Sequence, residues 1–196
     1  MLFRSSYVTR VQNYIGALPL CGPTCFTMPA SQLMFAHQQA RLYGADVNAA
    51  YTLSDNAVGG VFRITGSASY AHGEDLSTRT PLYHVMPLHG SVALEHDLGP
   101  WSSALRFHTV ARNTDVDPIR LQPATAGYSL VDLRTAYEWR NLRLDMGITN
   151  LLDRQYASPL GGTWQSALYP PGFSGAAFRP LPAAGRSFDS GVSVKF

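Results

Sequence analysis

Along most of the chain, apolar and polar residues alternate with period two. No apolar pattern at i, i+3, i+4 and i+7 is sustained, so the reading is all-β rather than helical. The clearest case is the C-terminus, where Phe188, Val192, Val194 and Phe196 share one face and Ser187, Asp189, Ser193 and Lys195 share the other. Upstream, Leu142, Leu144, Met146 and Ile148 alternate with Arg143, Asp145, Gly147 and Thr149. Val131, Leu133, Thr135, Tyr137 and Trp139 alternate with Asp132, Arg134, Ala136 and Glu138. Earlier segments keep the rule: Leu105, Phe107 and Thr109 against Arg106, His108 and Arg112; Leu88, Val92 and Leu94 against Ser91, Glu95 and Asp97. Phe62, Ile64, Ala68 and Tyr70 then oppose Arg63, Thr65 and Ser67, while Tyr43, Val47 and Tyr51 oppose Asp46, Asn48 and Thr52. A first strand is predicted near Tyr7 to Ile15, which makes about eight in all. His96 falls on an apolar parity and breaks the pattern locally.

The connections between these strands alternate in length. Gly16 to Gln32, His72 to Leu82, Asn113 to Ala126 and Asn150 to Gly185 are long; Ser54 to Gly59, Leu98 to Pro100 and Arg140 are short. In an antiparallel meander this places all long loops at one end of the sheet and all tight turns at the other, the arrangement of outer-membrane barrels. Aromatic residues cluster at strand ends, as side chains with an apolar ring and a polar edge do at the level of lipid headgroups. Trp101, Tyr137, Trp139, Tyr51, Phe62 and Phe196 are expected at the short-turn rim, and Tyr43, Tyr70, Tyr128 and Phe188 at the long-loop rim.

Composition narrows the class. Only 14% of residues are charged while 45% are hydrophobic, against about 25% charged in an ordinary soluble domain. A mean hydropathy of −0.06 excludes a helical membrane protein but suits strands that alternate between lipid and water. The two long uncharged stretches, Val11 to Ala40 and Gln155 to Phe178, are interrupted by Pro19, Pro23, Pro29, Pro159, Pro170 and Pro171, so neither reads as a membrane helix. The net charge of +2 is small and evenly spread, which argues against a nucleic-acid partner. The six histidines are scattered, and neither a Gly-x-Ser-x-Gly elbow nor a phosphate-binding glycine loop is present, so no enzyme is expected. The start of the chain shows no secretory signal.

The segment Gly147-Ile148-Thr149-Asn150-Leu151-Leu152-Asp153-Arg154-Gln155-Tyr156 resembles the penultimate strand and loop start of TonB-dependent outer-membrane receptors. The resemblance extends upstream through Tyr128-Ser129-Leu130-Val131-Asp132-Leu133. Downstream it continues through Gly185-Arg186-Ser187-Phe188 to the terminal Phe196, with Ala184 where the family usually carries proline. Asn150 and Asp153 suit a turn out of the strand, and Tyr156 is expected to anchor near the outer headgroups. The family's barrels have about 22 strands around a plug. The resemblance therefore implies that residues 1–196 are a C-terminal portion of such a barrel in a Gram-negative outer membrane, with the plug and earlier strands absent. The expected partners are outer-membrane lipid, the barrel insertion machinery through the C-terminal strand, TonB through the plug alone, and a metal or metal-chelate ligand. No cofactor is expected. Two other readings stand beside this one, a complete eight-stranded outer-membrane barrel and a soluble ligand-binding barrel.

Chemistry-bearing residues are few. Cys21 and Cys25 fall in the first long loop, where an oxidising periplasm favours a small disulfide. The functional alternative is soft-metal ligation with Met28 and Met34, or His37, joined by His84 and Met86 from the next long loop, because thiolate and thioether suit copper(I). The stretch Tyr83-His84-Val85-Met86-Pro87, with the ending Gly185-Arg186-Ser187-Phe188, resembles the copper-receptor subgroup of the family.

Overall fold

A computed structural model describes residues 1–19, 33–56, 59–165 and 178–195. Cys21, Cys25, Met28 and Phe196 lie outside the described residues. The strands are β1 (Leu2–Pro19), β2 (Leu33–Asn56), β3 (Gly60–Asp75), β4 (Thr80–Pro81), β5 (His89–Leu98), β6 (Trp101–Val110), β7 (Tyr128–Trp139), β8 (Leu142–Thr149), β9 (Thr163–Gln165), β10 (Phe178–Pro180) and β11 (Ser187–Val194). Eight of them form one antiparallel meander in the order β1-β2-β3-β5-β6-β7-β8-β11, with β4 folded back onto β3 and β9–β10 making a separate small hairpin. β1 and β11 are the two edges of this sheet and do not pair with each other, so the strands form an open stretch of barrel wall, not a closed cylinder.

Register shows how the sequence pattern becomes two chemically distinct faces. Paired positions carry one apolar row across seven strands: Tyr51, Ile64, Leu94, Leu105, Leu133, Ile148 and Phe188. One residue along every strand, the opposite face carries Thr52, Arg63, Glu95, Ala104, Arg134, Gly147 and Asp189. A one-residue slip would exchange these two sets, so the register is strongly specified. The apolar face has no cover: Leu105, Phe107 and Met146 are 46%, 47% and 65% exposed, and among the described residues no large side chain is fully buried. An uncovered apolar surface running across a whole sheet is one that lipid, not water, must wet.

Strand length agrees with that solvent. β5 and β6 have 10 residues each, close to the 9–11 that a tilted strand needs to cross the hydrocarbon. β1 and β2 are longer, at 18 and 24 residues. Their far ends pair only with each other, Ile15 with His37 and Leu18 with Met34, and continue past the end of β3 as a two-stranded ribbon. The first strand thus extends beyond the predicted Tyr7 to Ile15 in both directions. The alternation of long and short connections holds throughout. The second long connection is shifted, however: β3 continues to Asp75, and Tyr83 to Leu88 are irregular before β5 begins at His89. Pro81 and Pro87 cannot donate to a ladder, and His84 takes a positive φ of 58°, so this segment cannot pair as a regular strand.

Candidate functional site

At the short-turn end the apolar face carries the expected aromatic rim. The Trp101 and Tyr137 rings lie 4.6 Å apart, and Trp139 receives the Arg140 guanidinium at 5.7 Å. His96, the misfit in the sequence pattern, belongs to this rim. Its ring stacks on Phe62 at 4.1 Å, and its Nε2 is 3.0 Å from the Gly59 carbonyl oxygen, so its polar edge is satisfied beside the turn. At the long-loop end, Tyr43 and His72 pack at 5.1 Å on the same outer face. Two positions further along, the Arg41–Glu74 ion pair at 2.9 Å marks where that face turns polar.

The opposite face is built from cross-strand polar pairs. Arg63 faces Glu95 at 3.5 Å, Thr65 donates to Glu95 at 3.3 Å, and the Ser67 and Ser91 hydroxyls meet at 2.9 Å. Near the β7–β8 turn, Arg143 bridges Glu138 at 2.7 Å and Asp145 at 3.0 Å. A cavity of about 300 Å³ opens on this face, lined by Glu95, Asp97, Arg134, Arg143, Asp145 and Asp189 among others. Such a surface is a wet, charged wall suited to lining a lumen.

The motif residues near the C-terminus come together at the base of the last long connection. Asn150 is buried and has a φ of 53°. Its amide clamps Arg154, with Nδ2 donating to the Arg154 carbonyl and the Arg154 N–H donating to Oδ1, both at 2.8 Å. Its own N–H donates to Asp132 at 2.9 Å, and the Leu151 N–H donates to the Val131 carbonyl at 2.7 Å. Asp153, also at positive φ, accepts the Arg186 N–H at 2.9 Å, where the chain re-enters the sheet as β11. A side chain at Gly185 would press on that same Asp153 carboxylate, and Gly147 is paired across the ladder with Asp189. Phe188 stands on the apolar face opposite Ile148. Tyr156 does not stand out toward headgroups. It packs on Tyr128, ring centroids 4.4 Å apart, and Tyr128 shares the polar parity of β7 with Asp132 and Arg134. The pair closes the loop base from within, because Tyr128 lies an odd number of residues from the lipid-facing Val131 and Leu133.

Among the described residues the soft donors Met34, His84 and Met86 stand on separate elements. Met34 sits on the β1–β2 ribbon and His37 three residues on, while His84 and Met86 lie between β4 and β5, with His84 stacked on Tyr83 at 3.9 Å. Met86 lines a second cavity of about 170 Å³ with Tyr70, His72 and Leu88. Among the described residues no group of three or more His, Cys, Asp or Glu side chains could hold a metal.

Sequence reasoning missed a set of buried polar residues at the long-loop end. Gln38, Asp75, Asn113, Asp117, Gln122 and Thr125 are all buried. Asp75 Oδ1 accepts the Ser77 and Thr78 N–H groups at 2.8 and 3.2 Å, and Asp117 Oδ1 accepts that of Ile119 at 2.8 Å. Burial pushes the Asp117 carboxyl above its ordinary range, with the Asp75 charge adding to the effect against the Ile119 and Arg120 N–H groups and the Arg120 charge. The one local sign of these sites in the sequence is an aspartate followed two residues later by a turn position, too common to stand out.

Comparison with known proteins places this geometry. The family model described as "TonB dependent receptor-like, beta-barrel" matches residues 5–151. Among solved structures, the chain is similar over its whole length to "Copper transporter OprC", with a TM-score of 0.79 and 25% identity, and covers 28% of that protein. It also resembles the ferric yersiniabactin uptake receptor FyuA from Yersinia pestis, with a TM-score of 0.68, 12% identity and 27% of that chain covered. A third likeness is to the ferric-catecholate import receptor Fiu from E. coli K12, with a TM-score of 0.60, 14% identity and 25% of that chain covered. The chain therefore spans about a quarter of the length of these proteins. No curated protein matches it.

Proposed function

The chain belongs to the TonB-dependent receptor β-barrel family, and from that premise we propose that residues 1–196 form the C-terminal part of the barrel of an outer-membrane receptor for a scarce metal or metal chelate. The family is one of outer-membrane transporters of Gram-negative bacteria. The observation that carries the proposal is the two-faced register, in which an unbroken apolar row and a charged row run across the same strands. The open edges at β1 and β11 are then filled by the remaining strands of the receptor. In this reading the apolar face holds the wall in lipid, and the charged face surrounds the plug and the wet path past it. The long connections meet the ligand outside the cell. TonB acts through the plug of such a receptor, and the alternating segment β11 (Ser187–Val194), followed in the sequence by Lys195 and Phe196, is what the barrel insertion machinery reads.

Copper is the proposed cargo ahead of an iron chelate. Met34, His84 and Met86 lie toward the long-loop end of the sheet, and Cys21, Cys25 and Met28 stand in the sequence between β1 and β2, whose join is at that end. The likeness to a protein named as a copper transporter supports the same choice. Copper affinity of the full-length receptor tests it, measured for the parent and for Cys21→Ser and Met86→Leu. The expected result is weaker binding in both variants. Affinity indifferent to both changes returns the cysteines to a loop disulfide and Met86 to packing, and makes an iron chelate the cargo.

A further inference from the structure

The buried polar cluster at the long-loop end has more negative charge than the described residues around it neutralise. Asp75 and Asp117 are 5% and 6% exposed. Asp117 faces one cation, Arg120, at 3.8 Å, and that guanidinium is shared with the Tyr83 ring. Asp75 has no ion-pair partner among the described residues. Arg41 is engaged by Glu74, and among the described residues the Asp75 carboxylate is held only through Oδ1 by two N–H groups. Residues 20–32, 57–58, 166–177 and 196 contain no Lys, Arg or His. A buried carboxylate left without a counter-charge is costly, and such groups are normally paired or coordinate a metal.

A second observation points to the same place. Gln38 is 4% exposed, and neither its Oε1 nor its Nε2 has a hydrogen-bond partner among the described residues. A buried amide with both ends unsatisfied calls for a missing water or ion. The Gln38 amide fills the space that a Cβ at Gly16 would need, and Asp75 Oδ2 lies 3.3 Å from that same point, so the amide and the free carboxylate oxygen converge over a glycine. Carboxylate and amide oxygens are the ligands that a hard divalent ion of the calcium class takes, completing its shell with water and backbone carbonyls.

We propose that a calcium-class divalent cation binds between Gln38 Oε1 and Asp75 Oδ2, with Asp117 as the neighbouring second negative charge. The site lies where the β1–β2 ribbon leaves the sheet, beside the last residue of β3. Its ion ties the ribbon to the β3–β4 turn and to the β6–β7 connection. This is a structural site that stiffens the long-loop end, separate from the soft donors proposed for the cargo.

The test uses the full-length receptor in a zwitterionic detergent, stripped with EDTA and then titrated with calcium chloride. Thermal unfolding and direct calcium binding by equilibrium dialysis are read for the parent, for Asp75→Asn and for Gln38→Met, which keeps the volume and removes the amide. The parent should bind calcium and melt several degrees higher with it, and each variant should bind at least tenfold more weakly and lose that increment. A parent that binds no calcium, or variants that keep its affinity, would overturn the proposal and leave Gln38 bridged by water. If Asp75→Asn does not fold, Gln38→Met and the dialysis of the parent decide the matter alone.

Discussion

Asn150 shows how one residue of the C-terminal motif acts. Its positive φ is tolerated better by asparagine than by most side chains, and its amide makes two hydrogen bonds to Arg154 in a buried corner. Replacing it with alanine strains the turn and leaves the Arg154 N–H and carbonyl unpaired. Asn150→Ala should therefore cost about 2–3 kcal/mol, read as a lower urea midpoint for unfolding of the receptor in liposomes. Asp153→Ala, in an exposed position, should cost less. The sequence displays these residue types plainly as turn formers, but not their partners. That Asp153 reaches Arg186 across the whole last connection is a tertiary fact that no local rule contains. His96 is the reverse case: it violates the alternation, and stacking on Phe62 beside the Gly59 carbonyl resolves the violation. An aromatic near a strand end fits a headgroup belt or an inner ring pair equally well from sequence, and the polar parity of Tyr128, on which Tyr156 packs, decides for the second.

At the scale of the strand, the period of two carries most of what the fold needs. It assigns Leu105 to the apolar row and Ala104 to the charged one, and the ladder places each opposite partners of the same kind: Leu94 and Leu133 for the first, Glu95 and Arg134 for the second. A charge on the lipid face near mid-strand should cost about 2–4 kcal/mol, and the same charge on the lumen face far less. Leu105→Arg should accordingly lower the guanidinium midpoint of folding into liposomes by that amount, while Ala104→Arg changes it by less than about 1 kcal/mol, since a polar wall admits charge. Equal losses from the two substitutions would mean that neither face is solvated differently from the other. Strand ends were less legible than strand faces. β1 overruns its predicted limit because the ribbon it forms with β2 stays largely apolar, with Ile15, Leu33, Met34 and Phe35 exposed, so no change of pattern marks where lipid stops. The outer-face pair Arg41–Glu74 is the boundary that structure supplies.

For the whole molecule, the alternation of loop lengths and the C-terminal motif were enough to anticipate an antiparallel wall of about eight strands from a TonB-dependent barrel. The chemistry of the long-loop end was not. Gln38, Asp75 and Asp117 are far apart in sequence, belong to three different elements, and acquire meaning only once burial removes water from them. The central claim is that odd-numbered positions of β6 face lipid and even-numbered ones face a wet lumen. The most direct measurement places a spin label at each position from 102 to 109 in the full-length receptor in proteoliposomes. Collisions are then compared with oxygen, which concentrates in the bilayer, and with a water-soluble nickel chelate. Residues 103, 105 and 107 should favour oxygen, and 102, 104 and 106 the chelate, in strict alternation. A uniform profile, or one with the parity reversed, would contradict the two-faced wall.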